Sequence, residues 1–397
     1  MNVGCLVAIL GWLQLFDLQS KLSSVNEATT QFGVVRWGYL AFLLVSTPTL
    51  ILFLTLKNQK SKVVYWSIAF LIYILISSGL HYFAMPLREL VLSFLLPAFL
   101  LLIFLVSYVL TVKFQAERIL MCALMCNCAV NLLTNIYLIR LPELLVFSIY
   151  MLVSFTPIIF MTNTRLLPTL FSVIVVFLLL LSGKRTGLLA IVAAFFVYYS
   201  IQFFFIKRRS MVGSLIFIPI AILTVFFAYL KMGYGLTSYL TFFSQERYFQ
   251  AIETGGSGRL ELWEYIITAF NKFPFFDKLF GKGYLFFEFL WQGIFFRPHN
   301  DFLDVLGSYG VFGSIIYLGF VFSILLTALR LLRARDNLSG TLCATVIFSS
   351  MFSLTSIFIM GGTNFYPVFM YFGMVYGIID RRERIGITQP IDNRLRY

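Results

Sequence analysis

Long runs of apolar residues dominate this sequence and restrict what the chain can fold into. Twelve runs meet or approach the roughly 20 mostly apolar residues that a helix needs to cross a bilayer: 3–17, 33–55, 63–82, 89–112, 118–138, 142–161, 167–182, 186–206, 211–230, 310–330, 339–358 and 364–379. With 60% hydrophobic and 12% charged residues, the chain carries more apolar surface than a water-facing fold can bury. The sequence therefore predicts an all-α integral membrane protein of about 12 transmembrane helices, with residues 1–397 in one polytopic domain.

Three of these runs are weaker candidates than the others. Runs 3–17 and 167–182 are short, and 118–138 carries Asn127, Asn131 and Asn135. The first run lacks a basic segment before it and a small-residue cleavage site, so we expect a retained helix and not a cleaved signal peptide. Because that run is short, a helix lying in the membrane interface is the alternative.

The basic residues are distributed unevenly between the two sides of the predicted membrane. When the C-terminal tail is assigned to the cytoplasm, the cytoplasmic loops and tail hold seventeen Lys and Arg residues and the short outer loops hold six. This asymmetry predicts that both termini are cytoplasmic. The net charge of +13 therefore reflects membrane orientation, and we expect no nucleic-acid partner.

The five cysteines all lie inside apolar runs. Cys122, Cys126 and Cys128 are close in sequence, but they form no Cys-x-x-Cys pair and no histidine lies near them. Such buried thiols usually behave as small apolar side chains, so the sequence predicts neither a structural metal nor a disulfide.

The segment 231–299 is the one extended polar loop. Within it, Leu260, Trp263, Ile266, Ile267 and Phe270 recur at helical spacing. The spacing predicts an amphipathic helix over 259–270 that lies on the outer membrane face or on the helix bundle. Loops of this length inside a compact protein are usually functional.

Three basic positions can meet on the outer side of the membrane. They are Lys184-Arg185, Arg259, and the run from Arg297 through His299 to Asp301. Two predicted spans separate the first from the second, and the second and third share the long loop. Each position also has a structural interpretation: Arg185 can snorkel to headgroups, Arg259 can pair with Glu261 or Glu264, His299 can be structural, and Asn300 or Asp301 can cap the following helix.

At these residues the chain resembles the O-antigen polymerase and ligase superfamily. The resemblance covers about 255–320 and rests on Ser257-Gly258-Arg259-x-x-Leu262-Trp263, Phe273-Pro274, Phe280-Gly281-x-Gly283-Tyr284, His299-Asn300 and Gly310-x-x-Gly313. Upstream, Ser182-Gly183-Lys184-Arg185-Thr186-Gly187 is similar to a family turn in which Ser usually stands at the position of Lys184.

The resemblance implies a catalytic trio of His299, Arg259 and Arg185, with Lys184, Arg297 and Asn300 binding the diphosphate or the glycan. It also implies a membrane fold similar to GT-C-type glycosyltransferases, with the long loop in the periplasm. The expected activity is an O-antigen or capsule polymerase in the bacterial inner membrane. Such an enzyme transfers glycan from undecaprenyl diphosphate to the next lipid-linked repeat unit.

The expected chemistry is metal-independent and inverting, without a cofactor. The expected partners are the lipid-linked donor and acceptor and the membrane lipids, and a chain-length regulator and a flippase could also bind. The alternative within the family is a ligase that moves glycan onto lipid A–core in lipopolysaccharide synthesis. A transporter or flippase is less favoured, because it predicts ionisable residues at mid-membrane and the spans are nearly free of charge. A purely structural protein would leave the outer basic residues without a role.

Overall fold

The protein is helical throughout the part of the chain that the structure describes. The computed structural model describes residues 61–82, 87–140, 142–162, 166–182, 184–206, 259–284, 286, 298–356, 358 and 362–386. No strand occurs among these residues, and their helical structure is consistent with the predicted all-α membrane protein. The predicted spans 3–17, 33–55 and 211–230 lie outside the described residues, as do 231–258 and 287–297 of the long loop.

The described helices correspond to the remaining nine predicted spans and to the amphipathic helix. They are α1 (Lys62–Tyr82), α2 (Leu87–Phe114), α3 (Glu117–Tyr137), α4 (Pro142–Val153), α5 (Thr156–Phe160), α6 (Leu166–Ser182), α7 (Arg185–Phe204), α8 (Arg259–Asn271), α9 (Phe275–Phe280), α10 (Asp301–Arg333), α11 (Ser339–Thr355) and α12 (Tyr366–Ile385).

Among these residues, five segments are long and apolar enough to cross a membrane: Lys62–His81, Pro97–Phe114, Glu117–Tyr137, Thr186–Phe204 and Asp301–Arg333. The total of twelve spans stays a prediction.

The predicted span 142–161 is broken into α4 and α5, and Pro157 explains the break. A proline at this position has no N–H to donate to the carbonyl of Val153. The hydroxyl of Thr156 donates to that carbonyl instead, at 2.6 Å. The hydroxyl of Ser154 likewise donates to Met151 O at 2.6 Å. The bond from Thr156 satisfies a carbonyl that the break would otherwise leave unpaired inside the bundle.

The centre of the bundle is the contact between α12 and α2. Every residue of α12 from Tyr366 to Asp380 is buried. Gly373 and Gly377 face α2 so closely that an added Cβ would lie 2.4 Å from Phe104 O and 2.7 Å from Thr111 Cβ, respectively. Small residues four positions apart allow two helices to approach in this way.

Ion pairs gather at the carboxyl ends of α10 and α12. Arg381 makes a bidentate salt bridge with Glu117, with N–O distances of 2.7 and 3.2 Å. Arg382 pairs with Asp336 at 3.1 Å, and Arg330 with Glu383 at 3.0 Å. Arg330, Arg381 and Arg382 are among the seventeen basic residues predicted to be cytoplasmic, and the structure places them together at one end of the bundle.

The long helix α10 begins at Asp301, nine positions before the predicted span 310–330, and has a kink at Gly310. Gly310 has φ 66° and ψ −164°, a region that is essentially restricted to glycine. The Gly281–Gly283 loop packs into the kink: Gly283 N donates to Ser308 O at 2.8 Å, and Lys282 N donates to Gly307 O at 3.2 Å. From the bundle, the hydroxyl of Tyr73 donates to Tyr309 O at 2.9 Å.

The amphipathic helix is present as α8, but its buried side differs from the prediction. Leu262 and Ile266 are buried, together with Phe273 and Phe286, while Leu260 is 53% and Ile267 46% exposed. The difference arises because the chain after α8 turns back and places Phe273 against the Leu262 side of the helix. Helical periodicity alone does not reveal this packing.

Candidate active site

The turn between α6 and α7 presents Lys184 at the end of the bundle where α10 begins. Lys184 precedes the first residue of α7 and lies over the ring of Tyr150, with Nζ 5.1 Å from the ring centroid. Burial lowers the pKa of Lys184, and the positive charge of Arg259 lowers this pKa further. Arg185 is the first residue of α7, but its side chain lies outside the described part of the chain.

Arg259 is the first residue of α8 and is half-buried. Its guanidinium Nη1 donates a hydrogen bond to the carbonyl of Thr355, at 2.5 Å. Thr355 is the last residue of α11, so Arg259 satisfies one of the carbonyls that a helix end leaves without an internal partner. The cation also lies at the negative end of the α11 dipole, where it is stabilised.

Asn300 and Asp301 join the start of α10 to the end of α11. Asn300 Oδ1 accepts hydrogen bonds from the amides of Phe302 and Leu303, and its Nδ2 donates to Leu354 O at 3.1 Å. Asp301 accepts a bond from Phe358 N at 2.9 Å and one from the Ser353 hydroxyl at 3.0 Å. The capping interpretation of Asn300 therefore agrees with the structure, and its role in substrate binding stays a prediction.

His299 immediately precedes the capping residue Asn300. Its backbone has φ 51°, a left-handed conformation that is uncommon outside glycine. The carbonyl of the preceding residue, Pro298, accepts a hydrogen bond from Trp263 Nε1 at 2.7 Å, which ties the loop to α8. Burial lowers the pKa of His299 below its ordinary value, and the charges of Arg259 and Lys184 lower the pKa further.

The structure thus brings together Lys184, Arg259 and His299 from three separate parts of the chain. All three meet at the end of α11. Arg259 donates to Thr355 O, and Asn300, which follows His299, donates to Leu354 O. Lys184 lies over Tyr150, whose ring contacts Phe352 of α11. Arg297 lies outside the described residues. Among those described, no group of three or more His, Cys, Asp and Glu side chains is arranged to hold a metal ion.

A comparison with protein-family models gives one decisive match. Residues 170–318 match the family described as O-antigen ligase. This match places residues 170–318 in the O-antigen ligase and polymerase superfamily. A comparison with curated proteins gives no match.

The matched segment of this O-antigen ligase and polymerase relative contains the three converging residues. Two further residues at the site lie outside the matched segment. Thr355 receives the hydrogen bond of Arg259, and Tyr150 lies under Lys184.

Tyr150 was not among the site residues predicted from the sequence. Its side chain is half-buried on α4, in a run where nothing but its hydroxyl distinguishes it from the surrounding apolar residues. The chain has 21 tyrosines, and a hydroxyl among apolar residues distinguishes most of them equally well. No feature of the sequence therefore indicated Tyr150 in particular.

Proposed function

We propose that this protein is a glycan polymerase of the O-antigen or capsule type. It would transfer a growing glycan from undecaprenyl diphosphate to the sugar of the next lipid-linked repeat unit. The observation that carries the proposal is the convergence of Lys184, Arg259 and His299 at one end of the bundle, within the segment that matches the family.

The two cations suit the leaving group of this reaction. When the bond between the anomeric carbon and the diphosphate breaks, the electron pair leaves with the diphosphate oxygen and negative charge develops there. Arginine offers five N–H donors and lysine three, and one donor of Arg259 is held by Thr355 O. The remaining donors can bind phosphate oxygens in a site of low dielectric, where such stabilisation is usually the largest catalytic contribution. Arg185, whose backbone begins α7, is proposed to add a third positive charge.

His299 is proposed as the general base. Burial and the two nearby cations favour its neutral form, and a neutral imidazole nitrogen can accept the proton of an acceptor hydroxyl. The hydroxyl oxygen then attacks the anomeric carbon from the side opposite the diphosphate, forms the new glycosidic bond and inverts the configuration. The proton ends on His299. No step of this scheme requires a metal ion.

A ligase is the second candidate, since the matching family is described as O-antigen ligase. In that reaction the donor is unchanged and the acceptor hydroxyl belongs to lipid A–core. The polymerase is favoured because the Ser308-Tyr309-Gly310-Val311-Phe312-Gly313 sequence and the Phe-rich spans are more similar to polymerases.

The proposed location is the bacterial inner membrane, with the site on the periplasmic side and both termini in the cytoplasm. The basis is the asymmetry of basic residues, seventeen against six, together with the grouping of Arg330, Arg381 and Arg382 at the opposite end of α10 from His299. A chain-length regulator and a flippase are proposed partners.

The test is transfer by purified protein in liposomes that contain lipid-linked repeat units from the same organism. One reaction receives no other acceptor, and a second also receives lipid A–core. We expect a ladder of longer lipid-linked glycans in both. Glycan on lipid A–core, without a ladder in the first reaction, would identify a ligase, and no transfer in either would refute both candidates.

A further inference from the structure

Tyr150 on α4 makes contacts that connect it to the candidate site on several sides. Its ring lies under the ammonium of Lys184, and its hydroxyl lies near the side chain of Thr186. We infer that Tyr150 is a positioning residue, which holds the Lys184 ammonium toward the diphosphate of the lipid-linked donor. The inference rests on the proposed function and extends it to a residue outside the family match.

The ring of Tyr150 is held in one orientation by its surroundings. Phe352 of α11 contacts it edge to face, with ring centroids 5.2 Å apart and planes at 90°. On the α7 side, Gly187 leaves room for the ring, because an added Cβ there would lie 3.3 Å from Tyr150 Cε1 and 2.7 Å from Leu179 Cδ2. Gly187 belongs to the Lys184-Arg185-Thr186-Gly187 turn, so the same turn that presents the lysine accommodates the tyrosine.

An aromatic ring suits this task better than a carboxylate. The Nζ of Lys184 is 5.1 Å from the ring centroid, within the roughly 6 Å over which the face of a ring attracts a cation. A carboxylate would neutralise the ammonium and occupy its donors. The ring attracts the same charge without accepting a conventional hydrogen bond, so donors remain available for phosphate oxygens. The attraction also offsets the repulsion between Lys184 and Arg259, whose charges affect each other.

The test is a double-mutant cycle on binding of undecaprenyl diphosphate, the proposed leaving group, to purified protein in detergent. The variants are Tyr150→Leu, Tyr150→Phe, Lys184→Met, and Tyr150→Leu combined with Lys184→Met. We expect Tyr150→Leu to weaken binding about 5- to 30-fold, as loss of a cation–π contact predicts. Tyr150→Phe retains the ring and should bind within about twofold of wild type, because the ring face supplies most of the attraction. The combined variant should bind no more weakly than Lys184→Met alone.

A merely structural tyrosine gives a different pattern. In that case the effects of Tyr150→Leu and Lys184→Met on the dissociation constant would multiply in the combined variant, or Tyr150→Leu would lower the thermal unfolding midpoint and leave binding unchanged. Either result would overturn the inference. Tyr137→Leu is the matched control, since Tyr137 is 67% exposed at the end of α3; a loss of binding equal to that of Tyr150→Leu would also overturn it. Failure of the wild-type protein to bind undecaprenyl diphosphate would instead overturn the proposed function.

Discussion

Arg259 caps the carboxyl end of α11 by donating from Nη1 to the carbonyl of Thr355, at 2.5 Å. The bond joins α8, which lies within the long polar loop 231–299, to α11, and its two residues are 96 positions apart in the sequence. It fixes the guanidinium near Lys184 and His299, whose pKa values are lowered by burial and lowered further by the charge of Arg259. A substitution of Arg259 therefore changes both the support of α11 and the charge of the site, and the two effects require separate measurements.

Arg259→Lys separates charge from hydrogen-bond geometry. Lysine keeps the positive charge but cannot hold Thr355 O and a phosphate oxygen with one planar fork. We expect transfer to fall at least about tenfold, which corresponds to about 1.4 kcal/mol of barrier. The initial rate per folded molecule measures this loss. Arg333→Lys, at the exposed far end of α10, is the matched control and should transfer at the wild-type rate. Full activity of a folded Arg259→Lys protein would place diphosphate recognition elsewhere.

His299→Ala should transfer roughly 10²- to 10⁴-fold more slowly, as the loss of a general base predicts, while binding of undecaprenyl diphosphate persists. A structural histidine would instead lower the amount of folded protein and leave its specific activity unchanged. Transfer and binding by the same purified sample distinguish the two.

The pH dependence of transfer tests the same residue independently. Burial, Arg259 and Lys184 lower the pKa of His299, and a base is active in its deprotonated form. Wild-type activity should therefore be retained at neutral pH and fall on acidification, with a midpoint below the ordinary value of about 6.5. Lys184→Met removes one of the two cations and should move this midpoint toward higher pH. An unchanged midpoint in Lys184→Met, or the same acidic fall in His299→Ala, would contradict the assignment.

The sequence predicted the helices better than their interruptions. Apolar length alone located α1, α2, α3, α6 and α7 closely. Apolar length did not show that α10 begins at Asp301 and kinks at Gly310, because Asp301 and Asp304 interrupt the apolar residues of 301–309. The interpretation of Asn300 or Asp301 as a helix cap did indicate a helix start there. Both carboxylates are buried, and Asp301 is bonded to Phe358 N and Ser353, partners that are distant in sequence.

Residues of the candidate site were predictable where they lie at the end of a predicted span or just after a turn. Counting the spans placed Lys184, Arg259 and His299 on one side, and the structure brings them together. Tyr150 was not predictable, since its contacts depend on how α4 packs against α7 and α11. The burial of Leu262, which the predicted apolar face of α8 did not include, was not predictable for the same reason: it depends on Phe273, which lies beyond the helix.

The orientation of the bundle can be tested with single cysteines at exposed positions near its two ends. Lys272 follows α8 and Ile385 ends α12, and both are exposed. In a background without the five native cysteines, an impermeant thiol reagent should label Lys272→Cys in cells whose inner membrane is intact. Ile385→Cys should react only after the membrane is opened. Labelling of position 385 in sealed cells would reverse the proposed orientation.

Gly310→Ala should destabilise the fold because it affects both the kink of α10 and the loop that packs into it. Gly310 has φ 66°, and an added Cβ would lie 2.5 Å from Gly281 N and from Leu279 O. We expect the free energy of unfolding to fall by roughly 2–4 kcal/mol, because of the backbone conformation together with the forced contact.

Gly386→Ala is the matched control, since Gly386 has φ 72° with nothing within 4 Å of an added Cβ. Its free energy of unfolding should fall by only about 1 kcal/mol. Thermal unfolding midpoints in detergent compare the two variants. Equal midpoints would mean that the packing between Gly281 and Gly310 contributes nothing to stability, and that the glycines serve the backbone conformation alone.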